Sequence, residues 1–262
     1  IHIHRCNARV GNVVSNFSDF IGGSGGGGGL PVNIALTKSQ TWVPPVDGNI
    51  CIHVIGAGGG GAGYTDNRYG GGGGGYCKKN SLAVTTSGSF TVVIGAGGNP
   101  GSQSASSGGN TTFAGTGLSS TLTANGGDGG SSNSAAGGTA SNGDTNNTGT
   151  VSNPNGGGSV AINSSGGSST SAAARRCDSF GDPCMSGYGV LVGGQSGGQH
   201  YDAQGGFLSG GGFVERNSGT KITYGGNGGV GGGGGPAKNS TYYFVNGGWG
   251  GNGIVIIQYL PA

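Results

Sequence analysis

Apolar residues in this chain are concentrated in short segments that are rich in β-branched and aromatic side chains. The clearest are residues 49–55 (NICIHVI), 89–94 (SFTVVI) and 253–259 (GIVIIQY). Residues of these types favour strands, so each segment predicts a β-strand that buries apolar area. At least part of the chain is therefore expected to fold.

Glycine fills much of the sequence between these segments. It accounts for 70 of the 262 residues, with runs at 25–29, 70–75 and 231–235, whereas about 7% is average. Such runs suit neither an α-helix nor an ordinary strand, because glycine loses the most backbone entropy on folding and has no side chain to pack. They predict either disorder or direct packing of backbone on backbone.

A bundle of polyglycine-II helices is a structure in which backbone packs directly on backbone. Collagen is excluded, because these runs do not place glycine at every third position. Polyglycine II has three residues per turn and no internal hydrogen bonds, so its backbone groups must find partners in neighbouring helices that approach where Cβ atoms are missing. The sequence thus predicts a mainly β and irregular fold, with β-hairpins framing a polyglycine-II bundle and almost no α-helix.

Four segments occur in an order that resembles a known family. They are residues 41–61 (TWVPPVDGNICIHVIGAGGGG), 75–98 (GYCKKNSLAVTTSGSFTVVIGAGG), 110–114 (NTTFA) and 247–259 (GGWGGNGIVIIQY). Together they resemble the glycine-rich domain at the tips of bacteriophage tail fibres, over residues 38–260. The resemblance implies a virion protein of the distal tail fibre, with the rest of the fibre and a bacterial surface receptor as partners.

The resemblance divides the chain into two parts. Residues 1–37 are expected to connect to the fibre, and residues 38–262 to form the receptor-binding glycine-rich domain. Because the sequence begins at Ile1 without methionine, we expect it to be a piece of a longer fibre protein. A homotrimer is expected, as in trimeric phage fibres.

Charge and hydropathy argue against two other kinds of partner. The 11 Lys and Arg against 9 Asp and Glu give a net charge of +2, too small to indicate nucleic acid or an anionic membrane. The longest apolar stretch, residues 253–257, is far shorter than the ~20 residues of a membrane span. We expect neither nucleic-acid binding nor membrane insertion.

Motifs that would indicate an enzyme lack the context they need. Residues 56–61 match G-x-G-x-x-G, but no amphipathic helix or suitably spaced acidic residue follows, so a nucleotide site is not predicted. Glu215 is the single glutamate, and the aspartates show no paired-carboxylate pattern. The Cys51 and His53 pair favours packing on one strand face over nucleophilic chemistry. Five cysteines without C-x-x-C spacing favour free thiols, although Cys177 and Cys184 remain a possible pair.

A metal ion is predicted only at the start of the chain. His2 and His4 alternate with isoleucines, so both imidazoles share one face of a strand. The segment resembles the H-x-H pairs of trimeric fibres, which implies six nitrogens from three chains around one transition-metal ion. A tag remnant or a solvated strand face is the alternative, and no other cofactor is expected.

Receptor contacts are expected from bulky and basic residues rather than from residues 102–174, which are mainly Ser, Asn and Gly and contain one aromatic residue, Phe113. Aromatic and arginine side chains supply most binding energy at interfaces. The predicted receptor-binding residues are Arg68, Tyr69, Arg175, Arg176, Phe180, Tyr188, His200, Tyr201 and Arg216.

Two other function classes stay open. A purely structural or ice-binding polyglycine-II protein would present a regular flat face of small residues, which the irregular run lengths argue against. A glycine-rich extracellular module of a eukaryotic receptor would carry glycans at its N-x-S/T sites, such as Asn110 and Asn239.

Overall fold

The computed structural model describes residues 33–64, 69–152, 156–162, 185–186, 190–191, 207–208, 210–216, 222–238 and 247–260. All regular secondary structure in these ranges is strand, and they contain no helix, which confirms the predicted mainly β and irregular class. The strands are β1 (Asn33–Leu36), β2 (Gln40–Trp42), β3 (Gly48–Ile55), β4 (Gly63–Tyr64), β5 (Tyr76–Val84), β6 (Phe90–Val93), β7 (Thr111–Gly115), β8 (Leu122–Ala124), β9 (Ala140–Ser141), β10 (Thr145–Asn147), β11 (Met185–Ser186), β12 (Val190–Leu191), β13 (Phe213–Arg216), β14 (Ile222–Gly225), β15 (Ala237–Lys238) and β16 (Ile254–Tyr259).

Two antiparallel five-stranded sheets form the frame of the domain. The first sheet has the order β1-β16-β3-β5-β10 and the second the order β2-β6-β7-β8-β9. The three strands predicted from the apolar pattern are present as β3, β6 and β16. In the first sheet the last strand in the sequence, β16, pairs with β3, with Val255 opposite Val54.

The core of the frame lies between the two sheets. Alternate residues of β3, namely Ile50, Ile52 and Val54, are fully buried there, as the two-residue period of a strand requires. The second sheet contributes a group of aromatic rings: Phe90 and Phe113 stack with centroids 5.0 Å apart, and the Trp42 ring lies 5.5 Å from Phe90. One apolar cluster therefore joins both sheets.

The glycine segments that continue from the strands are hydrogen-bonded with a period of three residues. In the central segment, residues 56–63, every third N–H group donates to the same neighbour, residues 69–75. The pairs are Gly56 to Gly75 at 3.0 Å, Gly59 to Gly72 at 2.9 Å and Ala62 to Tyr69 at 3.2 Å. Partner numbers fall as donor numbers rise, so the two segments are antiparallel.

Five further segments complete the surroundings of the central segment. Its remaining N–H groups donate to the carbonyl groups of residues 101–109 and 248–251. Its own carbonyl groups accept from residues 98–101, 127–130 and 234–237, whose numbers rise with its own, so these run parallel to it. The central segment is thus bonded through its backbone to neighbours on every side.

Glycine is required at the middle of the central segment because a side chain there would collide with neighbouring backbone. A Cβ atom on Gly58, Gly59 or Gly60 would fall on the carbonyl groups of Gly232, Asp128 and Asn99, respectively. Three successive residues therefore face three different neighbours. Among the described glycines, φ lies between +20° and +160° only at Gly115, Gly117 and Gly231. We interpret the glycine segments as polyglycine II, which combines negative φ with three residues per turn.

Segments at the surface of the bundle carry a side chain at every third residue. In residues 247–253, Trp249 and Asn252 are exposed, whereas a Cβ atom on Gly250 or Gly251 would fall on backbone. Residues 125–131 (NGGDGGS) repeat the pattern, with Asp128 exposed. We call these solvent-facing sites the outward positions.

Candidate functional site

The turns between glycine segments gather at the end of the bundle opposite the sheets. There the Gly63 N–H donates to the Gly101 carbonyl at 2.8 Å, and the Tyr69 N–H donates to the Ser131 carbonyl at 3.2 Å. The short strand β15 pairs in parallel with β4 at the same end. We call this region, residues 62–64, 69, 101–105, 130–134 and 237–238, the loop end.

Two of the predicted receptor-binding residues lie at or beside the loop end. Tyr69 is half-buried, and its carbonyl accepts from Ala62 at 3.2 Å. Arg216 ends β13, which pairs with β14, and β14 lies beside β15. The structure therefore places Tyr69 and the backbone of Arg216 at one end of the molecule.

The other predicted residues lie outside the described residues. They are Arg68, Arg175, Arg176, Phe180, Tyr188, His200 and Tyr201, together with the predicted metal ligands His2 and His4. Arg68 directly precedes Tyr69 in sequence. The rest of the receptor-binding set falls between Ile162 and Phe207, and those two residues pack with Ile55, Tyr76 and Ile254 at the sheet end of the bundle.

Polar side chains form a buried cluster on the outer face of the first sheet. His53, which is 4% exposed, contacts the Tyr76 hydroxyl through Nδ1 at 2.7 Å and the Gln258 Oε1 through Nε2 at 3.0 Å. The Cys51 Sγ lies 3.5 Å from the same Nε2. The strand pattern already placed Cys51 and His53 on one face, but Tyr76 and Gln258 come from the paired strands β5 and β16 and had no signal in the sequence.

Burial controls the protonation of this cluster. It lowers the pKa of His53, against the effect of the Gln258 hydrogen bond, and it raises the pKa of the Cys51 thiol. Cys77 is also buried, and its pKa is raised to about 11. Both cysteines are free thiols, as expected, and burial keeps them protonated rather than as the reactive thiolate. Cys6, Cys177 and Cys184 lie outside the described residues.

We expect the domain to lose stability as the pH falls through the ordinary histidine pKa of 6.5. Below the ordinary histidine pKa of 6.5 the unfolded chain binds a proton that folded His53 resists, so the free energy of unfolding decreases until the lowered pKa is reached. Thermal unfolding at several pH values measures the slope of the free energy of unfolding against pH. In His53→Gln the slope should flatten over this range, and an unchanged slope would assign the pH dependence to other groups.

Few other ionisable groups interact in the described residues. The Lys79 Nζ lies 2.8 Å from the Asp144 Oδ1, and this pairing lowers the pKa of that carboxyl. Within the described ranges, no three His, Cys, Asp or Glu side chains form a group that could bind a metal ion. The same ranges contain no helix long and apolar enough to cross a membrane.

Trp249 is an exposed aromatic residue that the predicted site set omitted. It is 54% exposed at an outward position of residues 247–253. The sequence signal for it is the repeat NGGWGGN at residues 246–252, in which a bulky residue stands where Asn stands three positions before and after it. This three-residue spacing is hard to recognise in a sequence so rich in glycine.

Comparison with known proteins identifies the family. The model of the glycine-rich domain family matches residues 34–260, which include both five-stranded sheets apart from Asn33. No curated protein matches the chain significantly. The matched range covers most of the chain, and the chain belongs to the glycine-rich domain family.

Proposed function

We propose that the chain is a receptor-binding adhesin at the distal tip of a phage tail fibre. The observation that carries this proposal is the clustering of turns at one end of a bundle whose segments are hydrogen-bonded to one another through their backbones. Loops on a rigid scaffold are a common place for binding residues. The resemblance of residues 38–260 to fibre-tip domains supplies the phage assignment.

The scaffold favours recognition because it fixes the ends of its turns before a ligand binds. Each turn at the loop end starts and ends in a segment whose N–H and C=O groups are bonded to neighbours, such as Gly130 to Gly60 at 2.8 Å and Ala105 to Gly130 at 2.9 Å. Fixed ends lower the chain entropy that a turn loses on binding. Sequence can vary in the turns without changing the segments that hold them.

The proposed ligand is a polysaccharide or an outer-membrane protein on the host surface. Aromatic residues such as Tyr69 would stack on sugar faces or apolar loops, and arginines such as Arg68 and Arg216 would bind phosphate or carboxylate groups. Individual contacts of this kind are weak. A homotrimer, or several fibres on one virion, would raise the avidity without new contacts.

Attachment to whole cells tests the proposal. Labelled protein should bind host cells and lose binding to cells stripped of surface polysaccharide or treated with protease, depending on the receptor. Tyr69→Ala at the loop end should weaken attachment by about tenfold or more, and so should Tyr201→Ala, Phe180→Ala or the pair Arg175→Ala with Arg176→Ala. Thr91→Ala, on the exposed outer face of the second sheet, is the matched control and should bind as the wild type.

A purely structural or ice-binding protein is the competing function. The observation in its favour is the regular three-residue spacing of the outward positions. Their chemistry is mixed, however, since Asp128, Trp249 and Asn252 occupy equivalent sites. Failure to attach to any bacterial cell, together with inhibition of ice growth, would replace the adhesin with this alternative.

A further inference from the structure

Trp249 lies in a row of three outward side chains on adjacent segments. Its N–H donates to the Asn227 Oδ1 at 2.9 Å, which places Asn227 on one side of it. On the other side, Gly250 donates to the Gly98 carbonyl at 2.9 Å and Gly253 to that of Gly95 at 2.9 Å. This antiparallel register puts Asn99 beside Trp249, so an indole stands between two exposed carboxamide side chains.

The fold does not require a tryptophan at this position. Asn252 occupies the next outward position of the same segment, and its Oδ1 accepts from the Gly97 N–H at 2.8 Å. An Asn or Asp at an outward position is therefore compatible with the bundle. An indole that is 54% exposed gains little from burial in the folded chain, which points to a contact outside the chain.

The backbone holds Trp249 in place before any ligand arrives. Its carbonyl accepts from the Gly228 N–H at 2.8 Å, and its neighbour Gly248 donates to Gly235 at 2.8 Å. Both flanking glycines are packed against other segments. With the backbone fixed, the entropy lost on binding at this position is mainly that of the Trp249 side-chain torsions.

The chemistry around the indole selects for a neutral polar ligand. The described segments of this face, residues 95–101, 225–229 and 247–253, contain no charged residue. Carboxamides donate to and accept from hydroxyl groups, and an indole face packs on C–H groups. Outward positions three residues apart are separated by about 9 Å along a segment, so Asn252 lies within reach of a second ring of an extended chain.

We infer that Trp249, flanked by Asn99 and Asn227, is a binding site for an uncharged saccharide on the side of the bundle. This inference rests on the proposed adhesin function and gives it a ligand class and a second surface, on the side of the bundle next to the loop end. The site would bind the C–H face of a pyranose on the indole, with sugar hydroxyls bonded to the Asn99 carboxamide.

Titration with neutral oligosaccharides tests this site. The probes are linear oligomers of glucose, galactose, mannose and rhamnose, with phosphorylated mannose oligomers as the charged comparison. The chain has two tryptophans, and Trp42 is buried in the core, so a saturable change in tryptophan emission would report Trp249. We expect it with at least one neutral series and a weaker response with the phosphorylated one.

Trp249→Asn should unfold like the wild type, lose the emission change and bind the same oligomer about 30-fold more weakly by calorimetry. Trp249→Phe, which keeps an aromatic face, should retain part of the affinity. The site is wrong if no neutral series gives a saturable response, if the phosphorylated oligomer binds more tightly, or if Trp249→Asn binds as tightly as the wild type.

Cell attachment, measured in parallel, separates this inference from the adhesin proposal. Wild-type protein that attaches to cells while binding no neutral oligomer would overturn the Trp249 site and leave the adhesin standing. Wild-type protein that binds an oligomer through Trp249 but attaches to no cell would support the site and overturn the adhesin.

Discussion

Replacing Gly72 with valine should destabilise the domain strongly. A Cβ atom on Gly72 would fall on the carbonyl of Ala136, and that carbonyl also accepts from the Asp128 N–H at 2.9 Å. Because both neighbours are backbone, no side chain can rotate away to make room. Overpacking of this kind costs of the order of 1–3 kcal/mol or more, which urea or thermal unfolding would measure together with the yield of folded protein. Gly73→Val should behave in the same way, because its Cβ would meet Ser159.

Ala136→Val is the matched control for Gly72→Val. It adds the same type of side chain to the segment that Gly72 touches, but at an exposed outward position. Its free energy of unfolding should stay within about 0.5 kcal/mol of the wild type. If Gly72→Val were equally harmless, residues 70–75 would be a solvated linker and the packing of the bundle would be wrong at that point.

The frame could be predicted from the sequence because its strands carry local signals. The β-branched residues of β3 and β16 alternate or run together over six or more positions, and that pattern is typical of buried strands. Short strands such as β9 and β15, two residues each, carry no comparable pattern. They exist because their partners are in place, which is a tertiary effect.

The division of the bundle into inner and surface segments is also visible in the sequence, although the high glycine content makes it hard to recognise. The inner segment at residues 70–75 is continuous glycine, and the central segment, residues 56–63, is glycine except at Ala57 and Ala62. A Cβ atom at the glycines of residues 70–75 would fall on neighbouring backbone on every face. Surface segments read G-G-x, as in NGGDGGS and NGGWGGN, since one face in three meets solvent. This difference distinguishes inner from outer segments. What it does not give is which segments are neighbours, because the hydrogen bonds join backbones that lack any side chain to specify the pairing.

The G-x-G-x-x-G match at residues 56–61 has a structural explanation in these terms. Those residues belong to the central segment, and a Cβ atom at Gly56, Gly58 or Gly61 would fall on a neighbouring carbonyl group. The glycines are therefore needed for packing within the chain. Predicting the receptor-binding site was harder, because loops take their position from the fold and only Tyr69 and the backbone of Arg216 can be placed.

The start of the glycine-rich domain is a prediction that the structure makes testable. The sequence predicts a start at Lys38, and the family match begins at Ile34. Strand β1 pairs along its whole length with β16, from Asn33 opposite Gln258 to Leu36 opposite Val255. Strand β1 lies at the edge of the first sheet. Because its partner β16 is far away in the sequence, no local pattern joins β1 to the domain.

Changing Ile34 and Leu36 together to alanine should therefore destabilise the glycine-rich domain itself. Both side chains are buried in the core between the sheets, and truncation of a buried Leu or Ile costs about 2–5 kcal/mol. Because both lie on an edge strand, we expect a combined loss near the low end, about 4 kcal/mol, in the free energy of unfolding from urea titration. Asn33→Ala with Ala35→Ser changes the exposed face of the same strand and should cost less than about 1 kcal/mol. Equal unfolding curves for the wild type and the Ile34 and Leu36 variant would show that residues before Lys38 contribute nothing to the domain, and the boundary at Lys38 would then stand.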